Sequence, residues 1–320
     1  MGVLAAAGVA ALVLVLTVAV RWFAPASVAS MAREFGVSSA AGWAAYLLWL
    51  AGLVAPVALG APFEGDSLPV AGGLAAYTLG AYLLVLALSS QDERRALATG
   101  EELDPEQVGS AATGREPTPV VTSGTPTVEE PVRTLAGGTP AVYAEWTVQD
   151  RRSTLNRTNW HVVAAGSRTA PFGVDSEGLR VEPGGRTFGT ETAMTSYEPD
   201  EPLPGTAATL FNRHEDFPAA AEREKRVRII EEFVPADSPV TVAGVPHVEA
   251  GTVVLDRGPP DGLLGSGDGE PAPVLVSGTV PEARRQLRKR VVWLGLAGAA
   301  LVVAGQAVVF AFTPAALPLP

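Results

Sequence analysis

The sequence predicts a membrane protein with four transmembrane helices and one soluble all-β domain, a small barrel or sandwich with long loops. Two observations support this fold class. Polar sequence after the third apolar segment contains Val-rich runs bounded by Gly, Pro and Asp, a pattern typical of strands and turns. Four apolar segments approach or exceed the length that crosses a bilayer core, about 20 helical residues: 3–20, 42–60, 68–88 and 291–313.

These segments divide the chain into five parts. The first apolar segment lacks a charged n-region and is longer than the apolar run of about 7–15 residues in a signal peptide. These features favour a retained helix, and a cleaved signal peptide is the alternative. The predicted parts are three transmembrane helices in 1–90, a flexible Gly/Ser/Thr/Pro-rich linker in 91–117, a β-rich domain in 118–280, a juxtamembrane and transmembrane helix in 281–313, and a short tail in 314–320.

Basic residues near the helix ends predict the orientation of the chain, because Arg and Lys accumulate on the cytoplasmic side of membrane helices. Bases follow the first and third apolar segments, and a cluster precedes the last: Arg284, Arg285, Arg288, Lys289 and Arg290. All of them are cytoplasmic if both termini lie outside. We therefore expect a multi-pass cell-membrane protein with a cytoplasmic β-rich domain. The cluster is either a topology signal or a site for anionic lipid headgroups.

The soluble part is strongly acidic. Residues 91–282 hold 31 of the 34 acidic residues and 16 of the 23 basic residues, and only two bases in the chain are lysines. This composition is typical of a high-salt cytoplasm and predicts a halophilic archaeal source. It disfavours nucleic-acid binding, which needs a basic face. The lack of cysteine excludes disulfides, thiol nucleophiles and Cys-ligated metals.

Several segments of the β-rich region resemble a known domain. AVYAEWTVQDRR and NWHVVAAGSRTAPFGVDSEGLRVEPGG, which contain Trp146 and Trp160, are followed by PVTVAGVPHVEAGTVV. This succession, over about residues 118–255, is similar to the GIDE or BAM (beside-a-membrane) domain of membrane-anchored E3 ubiquitin ligases. The motif positions are Pro171, Phe172, Val174, Asp175, Gly178, Val181 and Pro183 in a hairpin that turns at Asp175–Gly178, and Val240, Val242 and Gly244 later in the chain.

These motif positions are apolar or turn-forming, so we expect them to determine the fold and not to form a site. The resemblance implies a ligase-like protein, but the RING finger of those ligases needs zinc-binding cysteines, and this chain has none. Ubiquitin transfer would therefore require a catalytic partner in trans.

No pattern in the sequence indicates a catalytic residue, a cofactor or a metal site. His161, His214 and His247 lack the spacing of metal ligands, and GLLGSGDGE lacks the Lys-Ser/Thr of a phosphate loop. We predict a membrane-anchored interaction or scaffold domain whose partners are the lipid bilayer and an unidentified protein. The alternatives are a ligase-like protein that acts in trans and, third, a transporter-associated subunit, although the helices hold almost no ionisable residues.

Small residues recur at four-residue spacing in two of the apolar segments, and such residues let helices approach closely. They are Gly72, Ala76 and Gly80 in one segment and Gly295 and Ala299 in the other. Either the spacing reflects packing between these two segments, which is also compatible with a homo-oligomer, or Gly and Ala are simply frequent in this alanine-rich chain.

Overall fold

The computed structural model describes residues 67–114, 118–154, 157–175, 178–183, 187–213, 224–258 and 273–312. They form α1 (Ser67–Thr99), β1 (Glu101–Glu102), a 3-10 turn (Pro105–Gln107), α2 (Val108–Ala112), β2 (Val120–Gly124), β3 (Pro126–Thr127), β4 (Val132–Arg133), β5 (Pro140–Thr154), β6 (Arg157–Thr169), β7 (Phe172–Val174), β8 (Leu179–Val181), β9 (Thr187–Phe188), β10 (Glu191–Tyr197), α3 (Gly205–Arg213), β11 (Val227–Pro235), β12 (Val240–Glu249), β13 (Thr252–Arg257), β14 (Val274–Ser277) and α4 (Val280–Phe312). They fall into a helical unit, 67–95 and 285–312, and a β-rich unit, 96–258 and 273–284.

The prediction of four transmembrane helices is wrong. In the described residues two helices are long and apolar enough to cross a membrane, over Gly72–Thr99 in α1 and Val280–Val309 in α4. They contain most of the predicted segments 68–88 and 291–313 and are longer, because the polar residues beside each apolar run continue the same helix. The predicted segments 3–20 and 42–60 lie outside the described residues. The fold supported is a β-rich protein with two apolar helices.

Regular structure occupies most of the predicted linker over 91–117. Helix α1 continues to Thr99 because QDERRALAT consists largely of good helix formers. Strand β1 then pairs in parallel with β2, and the 3-10 turn and α2 follow. Leu97 and Val108 are fully buried, so this part of the chain is packed into the fold.

Two pairs of glycines lie between the helices of the helical unit. A Cβ on Gly73 would stand 2.8 Å from the carbonyl oxygen of Gly305, and a Cβ on Gly80 would stand 2.7 Å from that of Gly298. Only glycine allows this approach of two helix backbones. The predicted packing of these two helices is therefore confirmed, but the contact positions differ in part from the predicted ones.

Two of the predicted positions, Gly72 and Gly295, are not at the contact, since a Cβ at either would meet nothing within 4 Å. The two contact glycines of each helix, Gly73 and Gly80 in α1 and Gly298 and Gly305 in α4, are about two helical turns apart. Large apolar side chains of both helices are exposed, as lipid-facing residues would be: Leu79, Tyr82, Leu88, Val292, Trp293, Leu296 and Val303.

Nine strands of the β-rich unit form the larger sheet, in the order β1-β2-β12-β13-β8-β7-β3, with β14 beside β12 and β9 beside β14. The first half of β12 pairs with β2 and β14, and its second half pairs with β13. Strands β7 and β8 form the hairpin that the sequence predicts. The core beside this sheet consists mainly of Val, with Tyr143, Phe172 and several Leu.

Five strands form the smaller sheet, in the order β10-β11-β5-β4, with β6 also paired with β5. All of these pairings are antiparallel. One face packs against α3 in a second core of Leu135, Trp146, Val148, Tyr197, Ala207, Phe211, Val227 and Ile229. The sequence predicts a polar loop and one short helix over 189–225; the structure contains the helix, α3, and in addition the strand β10.

Candidate interaction surface

The second face of the smaller sheet is lined by side chains that the strand register places in three rows across β10, β11, β5 and β6. The first row is Thr192, Glu232, Glu145 and Ser167; the second is Met194, Ile230, Thr147 and Ala165; the third is Ser196, Arg228, Gln149 and Val162. We call these twelve residues the open face. Paired residues point to the same side of a sheet, so each row is continuous across the four strands.

Strand alternation determines which side chains reach the open face. On β11, Ile229 and Glu231 are buried on the α3 side, whereas Ile230 is half-buried and Glu232 is exposed on the other side. The register between β5 and β6 shifts where Val163 has no partner. Because of this bulge, two consecutive residues of β6, Val163 and Ala164, pack against the α3-side core.

The open face exposes large apolar side chains. Met194 is 63 % exposed and Val162 is 61 % exposed. Beside Met194 in the same row lie Ile230 and Thr147, both half-buried, and Ala165, which is exposed. Apolar groups left in water across adjacent strands mark a contact surface more often than single exposed residues do. The middle of this face is thus able to bury apolar groups of a ligand.

Two carboxylates occupy the first row. Glu145 and Glu232 are directly paired across β5 and β11, which puts their Cβ atoms about 5 Å apart. The Tyr143 hydroxyl donates to Glu145 Oε2 at 2.8 Å, and the Thr190 hydroxyl donates to Glu232 Oε2 at 3.2 Å. Burial, the hydrogen bond to Glu145 and the nearby carboxylate charges raise the pKa of the Tyr143 phenol, which keeps it a donor. This end of the open face is therefore fixed and negative.

The third row contains one positively charged residue, Arg228. The Arg228 guanidinium donates from Nε and Nη2 to Gln149 Oε1, the Nε bond at 3.1 Å, and lies 4.5 Å from the centre of the Trp160 ring. This stacking fixes the plane of the guanidinium. Arg228 is four residues from Glu232 on β11, about 13 Å along an extended strand.

The buried side of the same sheet is held by a carboxylate. Glu231, 1 % exposed, accepts hydrogen bonds from the backbone N–H groups of Leu135 and, at 2.9 Å, Ala136. These bonds tie the turn after β4 to β11. Buried polar groups of this kind need such partners, and the contact supports the strand that carries Arg228, Ile230 and Glu232.

One predicted motif residue, Trp160, lies at the open face, beneath Arg228. Trp146 is buried on the α3 side, and Gly244 is buried on β12. Asp175 has a left-handed backbone (φ 45°) and accepts a hydrogen bond from Thr125 N at 3.0 Å, as a turn residue does. Of the other motif positions, Pro171 and Gly178 are exposed, Pro183 is half-buried, and Phe172, Val174, Val181, Val240 and Val242 are buried.

The basic cluster lies along α4. Arg284 Nη1 is 2.9 Å from Glu102 Oε2, and Arg284 Nε donates to the carbonyl oxygen of Leu97 at 3.1 Å, near the end of α1. This residue thus caps a helix end within the β-rich unit. The remaining members of the cluster, Arg285, Arg288, Lys289 and Arg290, follow on the same helix.

The histidines are far apart in the fold. His161 is exposed on β6, His247 Nδ1 lies 3.3 Å from Asp256 Oδ1, and His214 lies outside the described residues. In the part of the chain that the structure describes, no group of three or more His, Asp or Glu could hold a metal ion.

The sequence pointed to Trp160, which contacts Arg228 at the edge of the open face, but to none of the twelve residues that form that face. The sequence RVRIIEEFV did contain an indication of this surface. Its large apolar residues occupy both sets of alternating positions, so both faces of this strand carry apolar side chains. No protein-family model matches the chain, and no curated protein or solved structure matches it either. The resemblance to GIDE or BAM domains stays a prediction, and function must be argued from the open face.

Proposed function

We propose that this protein is a membrane-anchored interaction protein whose β-rich unit binds a protein partner on the open face. The observation that supports it best is the combination of exposed Met194 and Val162 with fixed charges of both signs on one sheet face. Exposed apolar groups rimmed by fixed polar groups are the composition of protein contact surfaces.

Membrane attachment is supported by the two helices. Both ends of the β-rich unit continue in the chain into a long apolar helix, α1 on one side and α4 on the other. Attachment at both ends would confine the unit to the membrane surface and raise the local concentration of membrane-bound partners. The bases Arg94 and Arg95 on α1 and the cluster on α4 favour a cytoplasmic position of the unit.

Single cysteines test this orientation, because the chain contains no native cysteine to react. A cysteine replaces Thr209 or Asp237, both exposed in the β-rich unit, and intact cells are treated with a membrane-impermeant maleimide. We expect labelling only after the cells are opened. Labelling of intact cells at both positions would contradict a cytoplasmic unit.

Photo-crosslinking from the open face tests partner binding. A photoreactive amino acid replaces Met194 in the full chain in its native membrane, and a matched variant carries it at Val248, an exposed apolar residue on β12. We expect a reproducible protein adduct of defined mass from position 194 only. Equal adducts from both positions would indicate random collision, and no adduct from either would contradict the proposed function.

A further inference from the structure

The open face has a direction. Its negative end, the Glu145–Glu232 pair, and its positive end, Arg228, are about 13 Å apart along β11, with the Met194 row between them. The two carboxylates accept hydrogen bonds from the Tyr143 and Thr190 hydroxyls. The guanidinium donates to Gln149 and lies over the Trp160 ring. A surface with fixed charges at both ends favours ligands whose own charges run the opposite way.

From this arrangement we infer that the open face recognises a short protein segment with a basic residue at one end, an acidic residue at the other and an apolar side chain between them. The basic residue meets Glu145 and Glu232, the apolar one packs on Met194 and Ile230, and the acidic one pairs with Arg228. This inference rests on the proposed function and adds the chemistry and the orientation of the partner.

The size of the face favours a segment over a second copy of the chain. Four strands and three rows cover about 20 Å by 20 Å, roughly 400 Å², whereas a stable interface takes about 800 Å² from each partner. The paired carboxylates also disfavour an anionic lipid surface or a nucleic acid, both of which require bases. The 13 Å span corresponds to about four residues of an extended segment or about nine of a helix.

A displayed library of random twelve-residue peptides, selected on the full chain in lipid nanodiscs, tests the inference. Selection uses the lowest KCl concentration at which the circular dichroism spectrum is unchanged, because salt screens charge contacts. We expect enriched peptides to carry Lys or Arg and Asp or Glu on opposite sides of an apolar residue. Enrichment without this charge order, or no enrichment, would overturn the inference.

Variants with matched controls identify the surface. We expect Met194→Glu and Glu232→Lys each to weaken binding of the best peptide at least tenfold. Val248→Glu and Glu249→Lys make the same chemical changes at exposed positions of β12 and should leave binding within twofold. A peptide with its basic residue changed to Glu should recover binding to the double variant Glu145→Lys/Glu232→Lys, in which the charge of the whole negative end is reversed. Equal weakening by the control pair, or failure of this charge exchange, would overturn the orientation.

The remaining outcomes separate this inference from the proposed function. One outcome is that the cellular adduct from position 194 forms equally well in Glu232→Lys. In that case a partner binds the open face but the order of its charges does not affect binding, so the inference is wrong and the proposed function stands. If Met194→Glu instead converts a dimer of the chain to a monomer in size-exclusion chromatography and no peptide binds, the occupant is a second copy. That result would overturn the inference of a foreign segment.

Discussion

Replacing Glu231 by glutamine should destabilise the β-rich unit far more than the same change at its neighbour. Glu231 is 1 % exposed and its two carboxylate oxygens accept from two backbone N–H groups, those of Leu135 and Ala136. Glutamine has almost the same shape but only one acceptor oxygen. Its amide would face one of the two N–H donors, and both groups would stay buried without a partner.

The magnitude follows from these two bonds. A hydrogen bond to a charged group contributes about 1.5–3 kcal/mol, and a buried group left without its partner costs about 1–3 kcal/mol. Burying a neutral amide costs less than burying a carboxylate, which offsets part of the loss. We therefore expect the free energy of unfolding of Glu231→Gln to fall by about 3 kcal/mol. For a unit of this size that lowers Tm by about 6–12 °C.

Thermal unfolding followed by far-ultraviolet circular dichroism of the purified full chain measures this change, with the strand signal reporting the β-rich unit. The matched control is Glu232→Gln, an adjacent and exposed carboxylate on the open side of the same strand. We expect the control to change the free energy of unfolding by less than about 0.5 kcal/mol, as surface substitutions usually do. Equal Tm values for the two variants would refute the role assigned to Glu231.

Three further predictions concern packing and pH. Gly80→Val should lower the thermal midpoint of the helical unit in detergent, since a Cβ there would overlap the α4 backbone, whereas Gly72→Val should leave it unchanged. Gly166→Val should destabilise the β-rich unit by about 1–3 kcal/mol, because a Cβ would stand 2.6 Å from the Trp146 ring; an unchanged urea midpoint would contradict this. Burial and Glu145 raise the pKa of Tyr143, so the unfolded chain loses this proton first and stability should fall as pH rises above about 10. Chemical unfolding at pH 9 and pH 11 should show a smaller fall in Tyr143→Phe.

Strands such as β12, β13 and β14 could be predicted because they are Val-rich runs bounded by turn residues. The hairpin at residues 172–181 is the clearest case, since its apolar positions alternate and its turn residue Asp175 tolerates a left-handed backbone. Strand β10 was missed because ETAMTSY is mostly polar, and it is a strand only through its pairing with β11. Local propensity contains no information about a partner 36 residues away.

The extent of α1 was harder to predict than its position. Hydropathy locates the apolar centre of α1, but the following QDERRALAT continues the helix through residues such as Ala96 and Leu97, which the fold buries. The contact glycines were predicted only in part, because several small residues share each helix. Which of them faces the neighbouring helix depends on the rotation of both helices, and spacing alone does not determine that.

The residues of the candidate site could hardly be predicted from the sequence. Glu231 and Glu232 are identical neighbours in the sequence, yet one is buried as an acceptor for a turn and the other is exposed at the open face. Arg228 and Trp160 are 68 positions apart and meet only because β5 lies between their strands. The register of the strands brings residues that are distant in sequence together on one surface. Register depends on how the strands pair in the folded protein, so local sequence does not determine it.

The open face departs from what stability alone would favour. Glu145 and Glu232 stand directly opposite each other, an arrangement that destabilises a sheet, and Met194 leaves an apolar side chain in water on the adjoining row. Departures from local rules concentrate where function requires them. If a ligand's base sits between the two carboxylates, Glu232→Gln should slightly raise the free energy of unfolding and at the same time weaken peptide binding. Unchanged binding in that variant would mean that the carboxylate pair has no part in recognition.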